Sequence, residues 1–75
     1  MPRYFFEVLG EAIRYEDGDG EDYPSDQAAL RGAQRFANEL AEDSAEFFGC
    51  TVTVFTADRK PIGQFVIRPP PNMLQ

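Results

Sequence analysis

Residues 25–48, SDQAALRGAQRFANELAEDSAEFF, carry the one long helical repeat in a chain whose other apolar runs all have the character of strands. Ala29, Ala33, Phe36, Ala37, Leu40, Ser44 and Phe47 recur at spacings of three and four, while Asn38, Glu39, Glu42, Asp43 and Glu46 fall mainly on the other side. Such a helix is apolar along one stripe only and needs a flat apolar partner surface. Its start is signalled three times over. Pro24 stops the preceding strand, Ser25 suits the N-cap, and Asp26 sets a negative charge against the positive end of the helix dipole. Gly49 supplies the left-handed residue on which many helices end, so a helix over Asp26–Phe48 is expected.

The partner surface is a sheet built from both flanks. Residues 3–9, RYFFEVL, join aromatic and β-branched residues and close at Gly10. Residues 12–16, AIRYE, alternate more weakly and return through a turn at Gly10 and Glu11. After the helix, TVTVFT at 51–56 is the strongest strand signal in the chain. Residues Ala57–Lys60 then read as a turn, and IGQFVI at 62–67 as the last strand. The expected architecture is therefore α+β. A single ββαββ domain, residues 1–67, forms a four-stranded antiparallel sheet in the order 2-1-3-4 with one helix on one face. Residues 68–75, RPPPNMLQ, cannot donate regularly to a sheet and are expected to form a flexible proline-rich tail.

One helix covers one face of such a sheet. Period-two alternation directs Tyr4, Phe6, Val8, Val52, Val54, Phe65 and Ile67 toward Leu30, Ala33, Phe36, Ala37, Leu40 and Phe47. The same alternation sends Phe5, Glu7, Thr51, Thr53, Phe55, Gln64 and Val66 to the other side. Phe5, Phe55 and Val66 are thus the interface candidates, because exposed apolar patches mark association surfaces. The alternative is that Phe5 and Phe55 pack on each other or beneath the tail.

MPRYFFEV, DGDGEDYPS, DQAALRGAQRFANELA and VTVFTADRKPIGQFVI, in this order, resemble a family of small bacterial proteins. That family is common in rhizobial alphaproteobacteria, begins MPRYFF and is catalogued as a domain of unknown function. The resemblance covers nearly the whole chain and implies a stand-alone ββαββ domain with no assigned activity. This chain departs from the family in having Leu9-Gly10-Glu11 where members show an Asp-Gly turn, and in its RPPP tail.

The chemistry available to the chain is narrow. It has no His, so neither a Cys-His nor a Ser-His-Asp arrangement can form. Cys50 has no basic neighbour in sequence and is expected to pack as a small apolar residue. The segment EDGDGED, residues 16–22, gathers five acids and two glycines. A calcium loop starting at Asp17 would place acids at Asp17, Asp19 and Glu21, but it needs Gly where Asp22 stands and a bidentate acid where Ala28 stands. Asp17, Asp19 and Glu21 therefore remain only weak metal candidates. On an exposed loop, Glu16, Asp17 and Asp19 also lack the desolvation that would raise one carboxyl for acid–base work. The flanking acids would repel a phosphate from the GDG turn. No catalytic residue and no cofactor are expected, and enzymatic activity is not.

Charge and cysteine usage complete the expectations. Thirteen acids against seven basic residues leave a net charge of −6, which repels nucleic acid. The opening residues have no signal-peptide run and no stretch spans a bilayer, so no membrane association is expected. A lone cysteine forms no internal disulfide, which favours a reducing, cytoplasmic setting. A 75-residue chain has a core worth only about 3–5 kcal/mol of net stability. Self-association or a protein partner is the functional expectation, with a weak divalent-metal regulatory element as the alternative.

Overall fold

A computed structural model describes residues 1–70 of the chain; residues 71–75, which carry most of the expected tail, lie outside the described residues. Strand β1, Arg3–Leu9, shows the alternation its sequence demands: Tyr4, Phe6 and Val8 are buried while Phe5 and Glu7 are half-covered. It pairs antiparallel with β2, Arg14–Glu16, through Glu7↔Glu16, Val8↔Tyr15 and Leu9↔Arg14. On its other side it meets β4, Thr51–Thr56, from Tyr4↔Thr56 to Leu9↔Thr51. Strand β5, Pro61–Val66, lies beyond β4, with a bulge opposite Val54 and Phe55 that brings Pro61 beside Phe55. The path through the sheet is β2-β1-β4-β5.

The expected four strands are five, and the expected order gains a branch. Glu21–Asp22 form a two-residue strand, β3, that pairs with β1 at Arg3↔Asp22 and Tyr4↔Glu21. The reason is that β2 is only three residues long and reaches no further along β1 than Glu7, which leaves the Arg3–Tyr4 edge open. The chain turns back at Asp17–Gly20 and fills that edge. Gly20 holds the turn with φ +73, and a Cβ there would stand 2.8 Å from both the Tyr4 carbonyl oxygen and the Phe5 ring. Only glycine fits that backbone at that separation.

Helix α1 spans Asp26–Asp43 and starts as read, with the Ser25 hydroxyl accepting from the Ala28 N–H at 3.1 Å. It ends five residues earlier than expected. Ser44 leaves helical geometry with φ −158 and ψ 138, and its hydroxyl accepts from the Glu46 N–H at 3.3 Å, opening a separate 3-10 turn over Ala45–Phe47. A serine hydroxyl that caps the next turn competes with continuing the helix, and periodicity alone does not register that competition. Gly49 does adopt a left-handed φ of +88, but it closes the 3-10 turn rather than the helix.

The helix reaches the sheet through an alanine seam. Ala29, Ala33, Ala37 and Ala41 are at most 5% exposed, whereas Leu30, Phe36, Leu40 and Phe47 flank the seam, partly buried. Small residues let the helix lie close on β4 and β5, over Val52, Val54 and Ile67. Burial of each such aliphatic side chain stabilises the fold by about 1.5–3 kcal/mol. Cys50 is buried within this core. Ile67 extends the last strand by exchanging hydrogen bonds with Gly49 and Cys50, both 2.8 Å. The Tyr4 hydroxyl donates to the Asp26 carboxylate at 2.5 Å and ties β1 to the helix N-terminus. That hydrogen bond, with burial, raises the Tyr4 hydroxyl above its ordinary range. Among the described residues no helix is long and apolar enough to cross a membrane.

Candidate functional site

The side of the sheet facing away from α1 is organised in three rows set by strand register. Phe5 stands opposite Phe55, which pairs on its far side with Pro61. Next comes a polar row, Glu16, Glu7, Thr53 and Gln64, and then Arg14, Leu9, Thr51 and Val66. Among the described residues no element lies across these rows. The three interface candidates read from sequence therefore share one face, but they do not form one patch. Phe5 and Phe55 meet each other as cross-strand partners and are each half-buried. Val66 lies at the opposite end and is 48% exposed.

Register adds a residue that the sequence expectations omit. Leu9, also 48% exposed, sits across Thr51 from Val66, so the outer row offers two aliphatic side chains to solvent. Its position as the last residue of the first strand hides it, although the alternation Phe5, Glu7, Leu9 contains the signal. Thr53, expected on an open surface, is buried at 7%. It is walled in by its neighbours, and the Gln64 amide donates to its hydroxyl at 3.3 Å. The middle of the face is thus a polar row between two apolar ends, with Thr53 buried and Glu16 and Gln64 exposed. Charge frames it: the Arg14 guanidinium donates to Glu16 at 2.9 Å and is held above its ordinary value by that hydrogen bond and by the charges of Glu16 and Glu7.

The acidic loop is held by a cation of the chain itself. Arg3 donates to both Asp22 carboxylate oxygens, at 3.1 and 3.4 Å, and to the Asp19 carbonyl at 2.9 Å. This pairing lowers the Asp22 carboxyl below its usual range. The Asp17 carboxylate accepts from the Gly20 N–H at 3.1 Å and shapes the turn. Glu21 belongs to β3 and lies by Tyr23, apart from the Arg3 cluster. Among the described residues no three His, Cys, Asp or Glu side chains come together in a way that could hold a metal ion. The described part of the tail, Arg68–Pro70, lies at the β5 edge, where Pro69 and Pro70 line a cavity with Ala37 and Ala41 of α1.

No curated protein and no solved structure matches the chain. The family described as "Domain of unknown function (DUF6894)" matches residues 3–68, from the start of β1 to just past β5, and the chain belongs to that family.

Proposed function

We propose that the chain is a small protein-interaction module that works as a homodimer joined through the open face of its sheet. The observation that carries this reading is the pair Leu9 and Val66, each 48% exposed on a face that no described element crosses, with Phe5 and Phe55 half-covered at its other end. Two copies related by a two-fold axis bury the same rows on both sides, as an isologous interface requires. The Thr53 hydroxyl is already hydrogen-bonded to Gln64 within the monomer, so covering the face does not leave it unpaired. Dimerisation also supplies stability that a core of this size lacks.

The test replaces exposed side chains, so that folding and association separate. The Leu9→Lys, Val66→Lys double variant keeps the core of the sheet and puts like charges on the face. Light scattering at tens of micromolar should give a dimer for the wild-type chain and a monomer for the variant, with matching circular dichroism. A variant that remains dimeric overturns the assignment of the face.

A further inference from the structure

The helix side of the sheet holds a second surface, and its origin is geometric. A helix about 10 Å across covers roughly two strands spaced near 4.8 Å, and α1 lies over β4 and β5. The helix-side strip over β2 lies beyond its reach, while Tyr4, Phe6 and Val8 of β1 are buried, Phe6 beneath the rings of Tyr23 and Phe36. Tyr15, on β2 opposite Val8, points to that side and is 52% exposed for this reason.

The uncovered strip is a groove of about 270 Å³. Its floor and walls are aromatic: Phe6 stacks on Tyr23 with ring centres 6.1 Å apart and lies 5.8 Å from the ring of Phe36. Gly32 of α1 makes this possible, because a Cβ there would stand 2.7 Å from the Tyr23 ring. Around the rim stand Asp17, Glu21 and Glu39 against one cation, Arg35. Burial, followed by the charge of Glu21, raises the Tyr23 hydroxyl above its ordinary range, so the ring stays neutral. The volume is below the roughly 300 Å³ where small-molecule sites begin, which suits one inserted side chain rather than a cofactor.

We propose that this groove receives the guanidinium of an arginine carried on a basic segment of a partner protein. Charge complementarity selects a cation, since three carboxylates face one guanidinium at the rim of a chain of net charge −6. The aromatic lining selects the form of that cation. A planar guanidinium lies flat on a tyrosine ring and pairs with carboxylates at its edge, whereas an ammonium is a compact, strongly hydrated point charge. Arg35 forms no ion pair among the described residues and competes at the rim for the same carboxylates. The groove lies on the side of the sheet opposite the proposed dimer face, so the two proposals fail separately.

The test is a titration of the full-length wild-type chain, followed by amide chemical shifts, with the capped tripeptide Gly-Arg-Gly and its counterparts bearing citrulline or lysine. Saturable shifts confined to Tyr15, Asp17, Tyr23, Gly32 and Glu39 are expected with arginine at low millimolar concentration, and none with the isosteric, neutral citrulline. Tyr15→Leu, at an exposed position, should weaken binding about threefold to fivefold, the worth of one exposed cation–π contact. Arg35→Gln should tighten it by removing the competing charge. The proposal is overturned if no titration saturates, if citrulline binds equally, if lysine binds more tightly, or if shifts spread to the remote acids Glu42 and Asp43. It is also overturned if Arg35→Gln weakens binding while the variant keeps its dispersed spectrum.

Discussion

Replacing Gly20 by alanine should nearly unfold the domain, whereas the same change two residues earlier should be almost silent. At Gly20 the backbone has φ +73, and an L-residue held in left-handed geometry costs about 1–2 kcal/mol. The added methyl also lands 2.8 Å from the Tyr4 carbonyl oxygen, 2.8 Å from Phe5 Cε2 and 2.9 Å from Arg3 Cγ. The Arg3 stem can swing aside, but the Tyr4 carbonyl belongs to the central strand. Relief therefore comes from lifting β3, which gives up the Arg3↔Asp22 and Tyr4↔Glu21 pairing. The Arg3–Asp22 ion pair adds little, because both side chains are about half exposed, at 50% and 42%, and solvent screens such a pair. Together these give a loss of about 2–4 kcal/mol, against a net stability of about 3–5 kcal/mol for a core of this size. At roughly 4–8 °C per kcal/mol, the melting temperature should fall by about 8–32 °C. At Gly18 a Cβ meets nothing within 4 Å and φ is not positive, so Gly18→Ala should stay within about 0.5 kcal/mol of the wild type. Thermal melts followed by far-ultraviolet circular dichroism compare the two. Equal melting temperatures for both variants would refute the placement of β3 on β1.

Three further outcomes follow from the same contacts. Ala33→Leu, at a 0% exposed position of the alanine seam, should lift the helix from the sheet and cost about 1–3 kcal/mol in urea unfolding. Raising pH should also destabilise the fold: the raised Tyr4 hydroxyl keeps its hydrogen bond to Asp26 fully below the unfolded tyrosine value near 10, and loses that contribution as pH climbs through the folded value. Unfolding measured from pH 8 to 11 should show a loss that Tyr4→Phe lacks. Finally, Asp17→Asn with Asp19→Asn should leave stability within about 0.5 kcal/mol, since the first amide keeps an oxygen acceptor for the Gly20 N–H and Arg3 uses only the backbone carbonyl of Asp19. Millimolar calcium should barely move the melting temperature of either form, and a rise of many degrees abolished by the substitutions would restore the metal reading.

The parts of the fold written in apolar period are legible in the amino-acid order alone. The β-branched run Thr51–Thr56, the alternating Tyr4, Phe6 and Val8, and the Ser25 cap each state one preference and meet no competing one. The parts decided by competition are not. Glu21–Asp22 carry no strand signal at all; they pair because β2 stops short and Gly20 allows a close return. The helix ends at Ser44 because its hydroxyl serves the following turn, against a hydrophobic period that continues to Phe47. Periodicity places Leu30, Phe36 and Leu40 in the core on equal terms with Ala33 and Ala37, whereas the alanines at every fourth position take the contact and push the larger side chains to its margin. For the candidate face, alternation identifies the side on which Phe5, Phe55 and Val66 lie. Their division into an aromatic pair and an aliphatic row depends on cross-strand register, which no single strand encodes.

Sedimentation equilibrium of the wild-type chain from about 1 to 100 μM tests the proposed dimer most directly, since that range brackets the dissociation constants expected of a small isologous interface. The expected result is a mass rising toward twice that of the chain by tens of micromolar. A single-chain mass across the whole range would contradict it.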